Sequence, residues 1–574
     1  AILAQTPARS SGLPNTMRVV LAYLLAAAAA ASLVQDLAEQ LGAERASAVE
    51  RRALPLEAVL RPILQALPKS GSGNCLGAAA ARYALHRVFV QERGWFVKGL
   101  QELDPSRVVA NASTVAASPV AILQDQVPEA VKSLFEEPLR QQGLCLRELA
   151  MLAALLEDLV HRETMQRVGS AFNSHHVPLV GRVTVERVTA MLEYVMMSYI
   201  LEVASLDGTN LVADDAKAYL EGRLPMEDVY PSWPKTQKFI RDIQEVVAPS
   251  QKGSLSFEDV THIVEEINEH YGRWHDESDC ADMKSVLLNM EGKCPGRVDL
   301  SRFYSASLYE DRWQFSESVH YLRDLGALDE SQPESSVIVS NYVLGASNCV
   351  GTSRFYAQCC VDPCDQLMAQ LEKALAAPRA APSDLRAALA ALPAPDSTVR
   401  PVEELQKASE DGLVALHGRL FAQWLHHAYP RQCPMPSRAG MRLWQELPRD
   451  FTLRTGTVFA STRPGPGQDY AATHEEMKRY ADQKLSKEGV CRLPWISEEL
   501  LVSEMPATAS VGPPDVAHSL KAVLDSGVAK TLCLVGFALL AAVVVGVAKR
   551  TLRTPAARGP LLATESAQPA SCEA

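Results

Sequence analysis

The hydrophobic positions of the chain fall into three patterns, two of them unbroken runs. Val19 to Ala31 is apolar throughout, preceded by Met17 and Arg18 and followed by Ser32. A positive start, a run this short for a bilayer, and small residues at Ala30 and Ser32 predict a secretory signal over 17–32. Residues 1–16 then read as an upstream translation artefact. Near the other end, Thr531 to Ala548 carries no charge. At about 1.5 Å per residue it nearly matches a hydrocarbon core of about 30 Å. Lys549, Arg550, Arg553 and Arg558 follow it, so the positive-inside rule predicts a type I transmembrane helix over 528–548 with a cytoplasmic tail at 549–574. Along that run Ala538, Ala542 and Gly546 recur every four residues, a strip of small side chains suited to homodimer packing in lipid.

The third pattern is helical spacing, as at Leu149, Leu152, Leu156 and Leu159. It predicts a helical domain over 33–180. Further helical runs from Lys235 to Val247, Val260 to Tyr271 and Ala281 to Met290 mark a second helical domain over 181–330. Residues 331–500 are loop-rich and Cys-bearing, with a helix from Asp365 to about Ala376 and a helix or helix pair over Pro401 to Tyr429; 501–527 reads as a stalk. The expected fold class is mainly α: a multi-domain helical ectodomain with a Cys-bearing loop-rich region and a single C-terminal transmembrane helix.

Two loops in the second domain share a spacing. Ala248 to Asp259 has Gly253 sixth, Leu255 eighth and Asp259 twelfth, and Glu291 to Arg302 has Gly296 sixth and Val298 eighth. The arrangement resembles an EF-hand pair. The resemblance implies two helix–loop–helix units whose eighth residues, Leu255 and Val298, pair as a short bridge. Calcium needs oxygen ligands at positions 1, 3, 5 and 12. The first loop offers Ala248, Ser250, Lys252 and Asp259 there, and the second Glu291, Lys293, Pro295 and Arg302. Ser250, Asp259, Glu291 and Asp299 are the candidate ligands of so degenerate a set, and the pair is expected to be structural, with Ca²⁺ binding as the alternative. Farther along, Asn341-Tyr342, Ser347-Asn348-Cys349, Cys359-Cys360, Cys364 and the segment His417 to Pro434 resemble uncharacterised secreted or membrane-anchored proteins of protists, dinoflagellates especially. That resemblance covers 180–440 and implies a shared architecture without a catalytic residue.

Composition narrows the function. In 574 residues, 47% hydrophobic, the formal charge is −12, which leaves no basic footprint for nucleic acid. Ten cysteines (Cys75, Cys145, Cys280, Cys294, Cys349, Cys359, Cys360, Cys364, Cys433 and Cys491) lie between the predicted signal and the membrane run, where an oxidising lumen favours disulfides. Adjacent Cys359 and Cys360 point apart and should find different partners. Zinc held by Cys349, Cys359, Cys360 and Cys364 is the alternative. Asn111-Ala112-Ser113 is a glycosylation sequon.

His262, Glu266 and His270 recur every four residues and are candidate ligands for zinc or iron; beside the apolar Ile263, Val264 and Ile267 they also suit a solvated helix face. His417, His426 and His427 cannot aim at one ion from one helix and fit aromatic packing near a Cys433 staple. No G-x-S-x-G, H-E-x-x-H or phosphate-loop motif occurs. The expectation is a receptor-like, interaction or scaffolding ectodomain of the secretory pathway or plasma membrane. The alternatives are a lumenal metal-dependent enzyme and a calcium-binding EF-hand protein.

Overall fold

Helices make up most of the structure, a computed structural model that describes residues 33–70, 74–98, 100, 118–123, 126–201, 218–228, 230–249, 253–310, 315–396, 405, 411–436, 471–483, 491 and 493–501. All of these fall in one contact unit, Ala1–Ala509; a second unit, Ser510–Ala574, lies outside the described residues. The expectation of a mainly helical chain holds, but the membrane part of the fold class is corrected. Among the described residues no helix is long and apolar enough to cross a membrane. The predicted signal at 17–32, the sequon at Asn111, Ser250, the run at 528–548 with Ala538, Ala542 and Gly546, and the tail at 549–574 lie outside the described residues.

The long helix Leu146–Ser174 begins where Glu148 accepts a hydrogen bond of 2.6 Å from the Cys145 N–H, a side chain satisfying an orphan donor of the first turn. Leu149, Leu152, Leu156 and Leu159 are all buried along it, as their spacing predicts. Helix Ala43–Ala66 lies alongside, with Arg45 and Arg52 on Asp158 at 2.6 and 3.1 Å and Arg147 on Glu50 and Glu57, both at 2.8 Å. Apolar burial from Leu37 through Tyr271 forms one continuous cluster, so the core runs straight across residue 180.

Four helix–loop–helix units follow one another. Their helices are Leu146–Ser174 with Val185–Ile200, Trp233–Val247 with Phe257–His275, Ala281–Asn289 with Leu300–Ser305, and Val319–Asp324 with Val339–Val343. They associate as first with second and third with fourth. Strand Val183–Thr184 pairs antiparallel with Ser254–Leu255, setting Val183 opposite Leu255. In the other pair Arg297–Asp299 runs against Ser336–Ile338, setting Val298 opposite Val337, and Leu328–Asp329 adds a third strand. The expected bridge between Leu255 and Val298 is therefore corrected: each finds an aliphatic partner in a different loop. The reason is steric and local, because a strand this short pairs with the loop whose flanking helices already share its core.

Glycine conformation fixes one of these loops. Gly296 sits at φ 70°, the left-handed region open to glycine, and a Cβ there would collide with the Pro430 carbonyl. A second close approach joins Gly94, which ends helix Ala78–Arg93, to Gly272. A Cβ on Gly272 would stand 2.8 Å from the Gly94 oxygen. Beyond Gly94, strand Trp95–Val97 pairs with Tyr356–Gln358, which in turn pairs with Val350–Thr352, so the N-terminal helices and the Cys-bearing region share a sheet.

Among the described residues five disulfides close the fold: Cys75–Cys145, Cys280–Cys360, Cys294–Cys491, Cys349–Cys359 and Cys364–Cys433. Cys359 and Cys360 do take different partners, and the four sulfurs of the zinc alternative are divided among three bridges. Peptide mapping of the native chain without reductant is expected to recover these five cross-links. A Cys359–Cys360 link or free thiols at these ten positions would contradict the pairing.

Candidate functional site

The loops that invite calcium are filled from within. In the third unit Arg302, at position 12, donates to the Met290 and Glu291 carbonyls at 3.3 and 2.9 Å and lies 3.8 Å from Asp299. Glu291, at position 1, accepts from the Gly296 N–H and binds Arg431 at 2.7 Å. A guanidinium thus contacts the oxygens a cation would seek. The first unit has the same device, since Arg187 donates to the His175 carbonyl at 2.6 Å. In the second unit Asp259 closes a capping box with Ser256, accepting from the Ser256 N–H at 2.9 Å, and lies 3.6 Å from Arg182. Asp259, Glu291 and Asp299 are therefore occupied in helix starts and ion pairs.

His262, Glu266 and His270 lie on one helix face, with both histidine side chains more than half exposed. His270 Nδ1 is 2.8 Å from the Glu266 carbonyl, a bond within the helix. Among the described residues the three do not converge as a donor set; the one convergent His, Cys or carboxylate group is His275, Cys280 and Cys360. His417 and His426 are built into the core. His417 Nε2 meets Glu372 at 2.9 Å, in a buried cluster with Arg87. His426 sits between the Cys433 carbonyl at 2.7 Å and Arg297 at 3.0 Å. Burial and the Arg297 charge hold the His426 imidazole well below its usual range, so Nδ1–H donates to Cys433 and neutral Nε2 accepts from Arg297. His427 contacts the Pro494 carbonyl at 3.1 Å. A cavity of about 10 Å³ beside Glu163, Tyr199 and Tyr356 has room for one water, far below the size of a substrate pocket.

The arrangement that can do more lies on the third and fourth units. Phe303, Tyr304, Phe315 and Tyr342 pack edge-to-face and stacked at ring separations of 4.9–5.9 Å and form an aromatic face. The eight-residue helix His474–Ala481 rests on it, with Thr473 capping its start. Glu476, Met477, Tyr480 and Ala481 turn inward and are half-buried, whereas His474, Glu475, Lys478 and Arg479 are exposed. Tyr480 meets Tyr304 at 6.0 Å, the Val319 N–H donates to Glu476 at 3.1 Å, and the Ala472 N–H donates to the Ser316 carbonyl at 2.7 Å. None of the helix residues is fully buried.

Beneath this helix Glu317 is buried. Its Oε1 accepts from the Tyr342 hydroxyl at 2.9 Å, while Oε2 has no hydrogen-bond partner among the described residues. Burial pushes its carboxyl up to about 7. Sequence reasoning singled out neither this face nor the helix; the one available signal was the spacing of Met477, Tyr480 and Ala481 after a Thr473–Glu476 cap. Compared with known proteins, the chain matches no family model, no curated protein and no solved structure.

Proposed function

We propose that the chain is an interaction or scaffolding protein of an oxidising compartment, the secretory-pathway lumen or the cell exterior, in which EF-hand-like pairs hold helices instead of calcium. One observation carries the reading: the aromatic face of the second pair seats an amphipathic helix of the same chain through a half-buried stripe. Helix-in-groove recognition works by this geometry, with anchors at i, i+3 and i+4 on an apolar surface. The five disulfides support the compartment. The calcium-binding alternative loses support because Arg187 and Arg302 already bind loop carbonyls.

The test supplies the helix in trans. In the full chain carrying Met477→Asp and Tyr480→Asp, the resident helix should leave its seat and a fluorescent peptide of residues 471–483 should bind. The wild-type chain should bind that peptide at least about tenfold more weakly, because its own helix competes at high effective concentration. Anisotropy reads both. Absence of peptide binding to a variant whose disulfides and far-UV circular dichroism match wild type would overturn the proposal.

A further inference from the structure

Helix Phe257–His275 does not end at His275 but continues through a π-helical turn, Asp276–Cys280, into helix Ala281–Asn289. In an α-helix residues five apart diverge by about 140°. The wider π turn, bonded i to i+5, brings such residues over one another, and such turns are frequent at functional sites. Here it aligns His275 with Cys280. Across from them stands Cys360, bonded to Cys280 and anchored by its neighbour, since the Val361 N–H donates to Asp276 at 2.8 Å. One nitrogen of His275 and the sulfurs of Cys280 and Cys360 lie within 4.8 Å of one another, and all three residues are buried. His275 is 4% exposed, yet neither ring nitrogen has a hydrogen-bond partner among the described residues. A buried imidazole whose nitrogens make no hydrogen bond is costly unless a ring nitrogen serves some other state of the protein. The nearest carboxylate oxygen, on Asp279, is 3.6 Å from Nδ1.

We propose that His275, Cys280 and Cys360 form a zinc site that exists when the Cys280–Cys360 disulfide is reduced, so that this position exchanges a covalent bond for a metal according to redox state. A dithiol reductant exchanges with the disulfide and is itself oxidised to a disulfide. It delivers two electrons and two protons, which leaves two thiols. Zn²⁺ then binds both sulfurs as thiolates, two protons pass to solvent, and the imidazole supplies the third ligand. Solvent completes the coordination, because the Asp279 carboxylate is held by the Ser232 and Tyr230 hydroxyls at 2.8 and 3.2 Å. Tetrahedral zinc holds its sulfurs about 3.8 Å apart at bond lengths of about 2.3 Å, a small opening for two residues already in contact. The reduced form belongs to the chain before oxidative closure, or to any compartment that keeps thiols reduced. The inference is independent of the helix-docking face.

Reduction frees every bridged cysteine, so the test must report each one. The full chain is reduced anaerobically with dithiothreitol, desalted, and alkylated with iodoacetamide with and without Zn²⁺, and alkylation is quantified for each cysteine by mass spectrometry. Zinc is expected to slow alkylation of Cys280 and Cys360 by about tenfold or more, leaving Cys349 and Cys359 unchanged. His275→Ala should abolish the protection. Equal alkylation with and without zinc would overturn the proposal, as would protection that survives His275→Ala or covers all cysteines alike. Co²⁺ in place of zinc gives a second readout: a tetrahedral thiolate spectrum in the reduced wild type, lost in Cys280→Ser with Cys360→Ser and retained in Cys349→Ser with Cys359→Ser.

Discussion

Replacing Arg87 with methionine is expected to destabilise the chain by about 3–5 kcal/mol. Arg87 is fully buried in helix Ala78–Arg93 and reaches across the fold to helix Cys364–Leu375. Its guanidinium donates to Glu372 at 3.0 and 3.3 Å, to the Asp365 carbonyl at 3.1 Å and to the Tyr83 hydroxyl at 2.9 Å, with the Asp365 carboxylate 3.4 Å away. Burial alone would raise the Glu372 carboxyl, but Arg87 and the His417 hydrogen bond outweigh it and hold it below the usual range. Without Arg87 that carboxylate is left buried beside His417, and the cost of an uncompensated charge far exceeds the loss of one ordinary hydrogen bond. Urea unfolding of the full chain measures the effect. Adding Glu372→Leu to Arg87→Met should recover part of the loss, because it removes the stranded charge; additive losses would mean that the pair is not coupled.

How much of this was legible in the sequence depends on distance along the chain. Helices whose apolar stripe repeats locally, such as Leu149 to Leu159, were readable because the period itself is the signal. The separate partners of Cys359 and Cys360 followed from covalent geometry. Pairing of the loops was legible only in part. Gly181-Arg182-Val183 and Gly296-Arg297-Val298 are the same tripeptide, and Gly253-Ser254-Leu255 has its shape. That repeat marks helix–loop–helix units but does not say which loop pairs with which, a choice made by packing. Arg87 lies 285 residues from Glu372, and Arg297 lies 129 from His426. Nothing local distinguishes these arginines from those on a solvated face. His275, Cys280 and Cys360 were equally hidden, because an α-helical reading turns His275 and Cys280 apart and only the π turn aligns them.

Glu317→Gln is expected to stabilise the chain by about 3 kcal/mol at pH 8 and to change little at pH 4.5, a difference that grows as pH rises. The carboxyl titrates at about 7 in the folded chain against an ordinary 4.5, because burial disfavours its charge. The Tyr342 hydroxyl donates to its carboxylate and the Tyr304 hydroxyl to its backbone carbonyl, and neither supplies a cation. The sign follows from proton counting. Below about 4.5 the group is protonated folded and unfolded, and the pH exerts no force through it. Between 4.5 and 7 the unfolded chain gives up the proton while the folded chain keeps it, so stability falls steadily with rising pH and levels off above 7. Glutamine keeps the shape, can still accept from the Tyr342 hydroxyl, and has no charge to bury. Because other carboxylates act in the opposite sense in acid, the quantity to measure is the difference between the two proteins in urea midpoints from pH 4.5 to 8; a constant difference would refute the assignment. The same burial should show locally. Ala471 bridges to Glu317, so ionisation under the helix should make segment 471–481 open more readily. At pH 8 the Ala472 amide, which donates to Ser316, should exchange its hydrogen faster in wild type than in Glu317→Gln, while amides in helix Leu146–Ser174 exchange alike in both.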